Sequence, residues 1–452
     1  MSTFELLIAF SIFVLISSVV IGVVFGNQVL MSVISLSDEA MSRAVEKLEE
    51  FKIEREHEWA FATTSVSVTE GIFEYQIETA DVSPCTKLAT SSASWHGGSG
   101  ELHTRSFSSL VINQTEQRLY GFDCSVVPPQ GDWSRPVLTN ATSSFSVTEL
   151  VTSIDALGNL LYVGVNPQSA PGSDFYIVDM SAVDPAVPLG SLNTGPGIAA
   201  LDATRDLVFA ATVSRNAQLQ IIDVANPETP FVLSSYKLPG VYTDATVGLS
   251  IFYYDSRIYL GTNKSQIGEF HIIDVSDTSN PFELGSYELN AGVNSLVVRD
   301  TYAYVATPNN EEVTVLDVSN PGGIQRVGGF DAPGGSGNGK SLALLGNRLY
   351  VGRTVGGREF YILDITSPSN PYSLGSYDVN ASVVGIHVSN GLAFLATGGS
   401  DRLEIMDVQN PAFPIKRGGF SSMDKPTSID GEDGEVFLSS ETGRILTIFT
   451  TE

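Results

Sequence analysis

Two cysteines, Cys85 and Cys124, are all this 452-residue chain contains, so no disulfide framework can carry its fold. They allow one bridge in an oxidising compartment or two buried thiols. Basic residues are scarce, 24 Lys and Arg against 51 Asp and Glu, for a formal charge of −27. A surface of that sign repels phosphate backbones, which excludes nucleic acid as a partner and favours solubility outside the cell. Five histidines, His57, His96, His103, His271 and His387, are too scattered to suggest a triad or a metal cluster. No P-loop, nucleophile elbow or zinc spacing occurs. The expectation is a protein that is not an enzyme and needs no cofactor. The acidic run Asp430 to Glu435, with Asp430 and Asp433 as the only weak Ca²⁺ candidates, lacks the spacing of a calcium loop and reads as a tight turn.

Two further absences mark the N-terminus. No Lys or Arg precedes Arg43, and no proline precedes Pro84. Leu6 to Phe25 is an uncharged apolar run, about long enough as a helix to cross a hydrocarbon core. Beyond it, apolar residues fall at helical spacing with charges between them. One continuous helix from about Thr3 to about Arg55 is therefore expected. A membrane anchor ordinarily carries basic residues ahead of its apolar stretch. Their lack predicts that a basic leader has been removed and that Met1 opens the mature chain.

The stretch MSTFELLIAFSIFVLISSVVIGVVF resembles the N-terminus of type IV pilins, where an apolar segment is interrupted by a glutamate at the fifth position, here Glu5. The resemblance covers about 55 residues. It implies that Glu5 neutralises the Met1 amine, on the same or a neighbouring subunit, within a filament core. A lone carboxylate at membrane depth is expensive, and a cationic amine offsets it. The helix-loosening proline of the family is absent; Gly22 and Gly26 occupy that stretch. A plain single-span anchor is the alternative.

From about Glu56 to Pro136 short alternating runs such as TSVSVTEGIFEYQIET read as strands, with SSASWHGGSGELHTRS between them as a Ser- and Gly-rich loop. A Cys85–Cys124 bridge would staple this layer, and the membrane segment favours the bridge.

Past residue 145 the chain repeats itself. FYIVDMSAVDP, LQIIDVANPETP, FHIIDVSDTSNP, VTVLDVSNP, FYILDITSPSNP and LEIMDVQNP place Asp179, Asp223, Asp274, Asp317, Asp364 and Asp407 at the same point. A second element, NLLYVGV to GEVFLSS, recurs seven times, and the last copy is followed by RILTIFT with Phe449 in the aspartate position. The period is about 44 residues, that of a four-stranded propeller blade. Asp and Asn bond local amides while Pro sets φ, so the six aspartates read as corner residues. The segment 135–145 resembles the outermost-strand copies and is expected to complete the seventh blade. This region resembles the LVIVD-repeat family of β-propellers, which implies fold and says little of function.

The reading is a long N-terminal α-helix plus an all-β body: residues 1–55 a pilin-like membrane and filament-core helix, 56–134 a β-rich connecting module, 135–452 a seven-bladed β-propeller. The expected function is a structural subunit of an extracellular pilus-like filament, membrane-anchored before assembly. Its partners would be copies of itself and surface glycans or proteins of other cells. A minor pilin or tip adhesin, a singly anchored binding propeller and, least favoured, a propeller hydrolase are the alternatives. Sequons at Asn113, Asn140, Asn263 and Asn380 offer glycosylation sites.

Overall fold

A computed structural model describes residue 37 and residues 40–48, 66–83, 86–96, 101–112, 132–138, 150–166, 172–180, 188–195, 197–241, 246–308, 311–333, 337–421, 424–432 and 435–451. The chain forms two compact units, Met1–Gln117 and Arg118–Glu452.

In the first unit, strands Val66–Glu70, Phe73–Ser83, Thr86–His96 and Leu102–Ile112 form an antiparallel sheet in sequence order. Phe73, Tyr75 and Ile77 alternate with exposed Glu74, Gln76 and Glu78, the two-residue period of a half-buried strand. Against the buried face pack Ala40, Ala44 and Leu48, one helical stripe at four-residue spacing. The expected long N-terminal α-helix is corrected here. Among the described residues, α-helix is confined to residue 37 and residues 40–48, and none is long and apolar enough to cross a membrane. Lack of proline permits a helix without making one; helices persist through a packed face, which the sheet supplies beneath residues 40–48.

The Ser-rich segment taken as a loop is also corrected. Only residues 97–101 separate its strands. Ala89, Ser91, Ala93 and Trp95 face inward. On the other face hydroxyls pair across the strands: Thr90 with Ser108 at 2.8 Å, Ser92 with Ser106 at 2.8 Å, Ser94 with Thr104 at 2.9 Å. Cross-strand hydroxyl pairing lets Ser and Thr sustain a strand that composition alone marks as loop.

The second unit is a propeller of seven four-stranded antiparallel blades. Their innermost strands, Leu150–Leu157, Ile198–Ala203, Gly248–Tyr254, Ser295–Arg299, Gly339–Leu345, Val383–Ser389 and Pro426–Glu432, neighbour one another in turn, the seventh returning to the first. Second and third strands are buried on both faces, hence continuous apolar runs such as LVFAAT and LQIID. Cores form between blades: Phe209, Ala211, Leu219 and Ile221 of blade 2 meet Ile251, Ile258, Leu260 and Ile273 of blade 3.

The chain closes its own ring. Strand Asp132–Leu138 pairs with Ile445–Thr451 as the outer strand of blade 7. Trp133 is buried there, edge-on to Phe394 of blade 6 at 4.8 Å. The closing strand begins three residues before the expected segment, and residues 139–145 lie outside the described ones.

Adjacent blades lock through glycine. A Cβ on Gly190, Gly285, Gly328 or Gly375, in the outer strand of one blade, would overlap the carbonyl oxygen of Pro227, Pro321, Pro368 or Pro411 in the next blade's corner. Blade 2 has Ser234 instead, and its hydroxyl donates to the Thr278 carbonyl at 2.6 Å. At Gly418 of blade 6 the overlapping carbonyl is that of Trp133, so the closing strand takes the corner's place.

Candidate functional site

A strand ending in Asp must turn before its partner begins, and the corner aspartates do this with their own carboxylates. Asp223 accepts from the Ala225 amide at 3.1 Å, Asp274 from Ser276 at 2.9 Å, Asp317 from Ser319 at 2.9 Å, Asp364 from Thr366 at 2.8 Å and Asp407 from Gln409 at 3.1 Å. The hydrogen bonds from Ser276 and Ser319 hold Asp274 and Asp317 below the usual carboxylate range. Asp179 ends its third strand, but its corner at 181–187 lies outside the described residues.

A second recurring residue was not singled out from sequence. The position just before the third strand is Asp174, Gln218, Glu269, Glu312 and Glu359 in blades 1 to 5, each buried. Each side chain reaches the segment leaving the outer strand: Asp174 accepts from the Thr194 amide at 2.6 Å, Gln218 from Leu238 at 2.9 Å, Glu269 from Leu289 at 2.8 Å, Glu312 from Ala332 at 2.7 Å and Glu359 from Val379 at 3.1 Å. The signal was present, an acid or amide recurring ahead of the first five FYIVD-like runs, with Arg402 ahead of the sixth. Glu312 also meets Arg353 of blade 5 at 2.5 Å, both side chains almost wholly excluded from solvent. Burial raises the Glu312 carboxyl, opposed by the Ala332 amide and the Arg353 guanidinium.

Among the described residues of the propeller, two places gather chemistry. At the blade end opposite the aspartate corners, a cavity of about 490 Å³ opens between blades 3 and 4. It is lined by Tyr287, Glu288 and Leu289 from the exit of one outer strand, with Pro308, Glu311, Thr314 and Arg326 facing them. Arg326 donates to Glu311 at 2.6 Å and Thr314 donates to its other oxygen at 3.3 Å, so the carboxylate is fixed. Glu288 is exposed and accepts from the Asn290 amide at 3.0 Å. The wall offers an aromatic ring, carboxylate acceptors and a guanidinium donor.

The other place is the ring's centre. Aligning the innermost strands, the residue after the buried Ile or Leu is Asp155, Asp202, Phe252, Val297, Ala343, His387 and Asp430 in blades 1 to 7. The polar four are consecutive around the ring. His387 Nδ1 lies 3.1 Å from Asp430 Oδ1. Asp430 accepts from the Ala156 amide of blade 1 at 2.8 Å, Asp155 from Ala203 of blade 2 at 2.7 Å, and Asp202 from Tyr253 of blade 3 at 2.7 Å. Burial, then the Asp430 and Asp202 charges, push Asp155 well above its ordinary range. Burial likewise pushes Asp202 up to about 6. Among the described residues no group of three or more such side chains is arranged to hold a metal ion.

Of the other site expectations, Met1, Glu5, Gly22, Gly26, Cys85, Cys124, Asn113, Asn140 and Asp433 lie outside the described residues. Asn263 is half-buried and its side-chain oxygen accepts from the Val247 amide at 2.7 Å. Asn380 is exposed, with φ of 58°. His96 and His103 stand on strands, His103 stacked on Trp95 with ring centroids 5.4 Å apart.

Comparison with known proteins agrees with this geometry. The LVIVD repeat matches residues 265–288, 292–331 and 336–379. Over 135 residues, 29% of this chain, the sequence is 29% identical to an uncharacterized protein of Methanocaldococcus jannaschii, and the chain spans only 20% of that protein's length. The β-propeller domain of Cps50 (Swd1) from Myceliophteria thermophila aligns with 70% of this chain and 100% of its own, at TM-score 0.54 and 12% identity. Virginiamycin B lyase from Staphylococcus aureus aligns over 70% of this chain and 100% of its own, at TM-score 0.53 and 12% identity. At such identities the likeness concerns fold alone. The chain carries LVIVD repeats on a β-propeller.

Proposed function

We propose that this chain is a cell-surface interaction protein whose propeller binds saccharides of neighbouring surfaces and whose N-terminal segment assembles it into a pilus-like filament. The cavity between blades 3 and 4 carries the binding half of this reading. A sugar ring presents an apolar face and a rim of hydroxyls; Tyr287 suits the face, while Glu288, Glu311 and Arg326 suit the rim. The acidic balance of the chain disfavours polyanionic ligands and favours neutral or cationic ones. Screening the intact protein and Arg326→Ala against a glycan array tests it. Arg326 is half-exposed, so the fold should persist while binding falls about tenfold or more, as for loss of a charged hydrogen bond. Equal binding by both proteins would place the ligand elsewhere.

The filament half rests on Glu5 within a run otherwise free of charge from Met1 to Gln28. Extracellular display follows from the same resemblance. Shearing cell-surface filaments and weighing their dominant protein separates a bulk subunit from a minor one. Glu5→Gln should leave the protein made and folded but sharply reduce its incorporation. Normal incorporation would return the chain to the simple surface-anchored reading.

A further inference from the structure

The four polar residues at the ring's centre occupy the blades that flank the closure: 6, 7, 1 and 2. Only there must the chain join its two ends non-covalently, since blade 7 borrows strand Asp132–Leu138. Each carboxylate in the series spans a junction, holding a backbone amide of the next innermost strand. Beyond burial, the Asp430 carboxylate acts on Asp155 across the junction between blades 7 and 1, and its charge raises Asp155. Neighbouring carboxyl groups repel when both are ionised and are relieved when one keeps its proton.

We propose that His387, Asp430, Asp155 and Asp202 form a proton-operated clasp across the closure, so that mild acid tightens the propeller and its loss slackens it. The groups facing the clasp are few. Tyr162 stands opposite Asp155 on the adjoining strand, and Asp206 lies near that tyrosine. His387 faces Asp430 from blade 6. The charges that act on Asp155 and Asp202 are those of neighbouring aspartates. With both aspartates shifted upward, the folded ring holds protons that the unfolded chain has released. Stability is then full below the unfolded carboxyl range and falls as pH rises through about 6. A surface filament meets such pH changes outside the cell, where no cytoplasmic buffer protects it.

The test is thermal unfolding of the full-length protein between about pH 5 and about pH 8, in low and high salt. Wild type should lose several degrees of Tm across that window and keep most of the slope in high salt. Asp155→Asn, which retains an acceptor for the Ala203 amide and a donor toward Asp430, should flatten the slope to less than half. A wild-type slope abolished by salt would assign it to general repulsion among surface acids and overturn the clasp. An unchanged slope in Asp155→Asn would overturn it equally. Should that variant fail to fold, hydrogen exchange of the wild-type protein decides. Corrected for intrinsic rate, peptides covering 150–157 and 426–432 must exchange more slowly in mild acid, and equal protection at both ends of the window refutes the proposal.

Discussion

Blades 3, 4 and 5 set Phe252, Val297 and Ala343 at the position where blades 6, 7, 1 and 2 set His387, Asp430, Asp155 and Asp202. The apolar half meets its neighbours through continuous covalent chain and repeated corners, the corner carbonyls of blades 4 and 5 seated on Gly285 and Gly328 and that of blade 3 held by the Ser234 hydroxyl. The closure half lacks one corner, because Phe449 stands where the aspartate would be, and a strand from the far side of the propeller sequence fills the gap. A junction that chain connectivity does not hold needs additional contacts of its own. Here these are an aromatic anchor, Trp133, and side-chain bonds around the centre.

The largest effects should come from attacking each half at its own anchor. Trp133→Ala removes an indole packed among Phe394, Leu403, Leu446 and Ile448, and should lower unfolding free energy by about 3–5 kcal/mol in urea titration. Its counterpart in the other half is Glu312→Gln, which strands the Arg353 guanidinium in the interior. A loss of about 3–5 kcal/mol is expected there too. If the closure is the weaker half, Trp133→Ala will in addition expose residues near 132–138 to protease under native conditions, and Glu312→Gln will not.

Next come the corner seats. Gly285→Ala drives a methyl into the Pro321 carbonyl and should cost about 1–3 kcal/mol, seen as a lower midpoint with unchanged denaturant slope. Gly172→Ala, where nothing stands near the added carbon, should leave the midpoint in place. Smallest is the corner carboxylate: Asp317→Ala forfeits one hydrogen bond to Ser319, about 1 kcal/mol. The contribution of Asp317 to stability is present above its unfolded range and fades as pH falls through its lowered folded value, the opposite sign to Asp202.

Much of the propeller was legible because its repeats make one local solution visible several times. LQIIDVANP and FHIIDVSDTSNP announce a double-faced buried strand and its corner without any long-range information. The clamp residues before the third strands of blades 1 to 5 obeyed the same period, yet an isolated acid ahead of an apolar run looks like a solvated one until its partner amide twenty residues onward is known. The central arc was harder still, since Asp155, Asp202, His387 and Asp430 fall at one aligned position but meet only across blades. The Ser-rich strand Thr86–His96 was misjudged because hydroxyl pairing depends on a facing strand that composition does not reveal. The helix was misjudged in extent because apolarity and lack of proline fix what is permitted, not what is packed.

The closing strand has a history that its final position conceals. During synthesis Asp132–Leu138 leaves the ribosome before any blade, yet its partner around Phe449 follows the strands of all the other blades. It therefore passes the whole translation of the propeller as an unclaimed edge, the kind of segment that recruits other chains. Its own sequence moderates the hazard. It is only seven residues long, and Pro136 removes one backbone donor, so foreign strands gain little by pairing with it. A propeller sealed by its earliest segment must carry a latch that stays unattractive until the right partner appears.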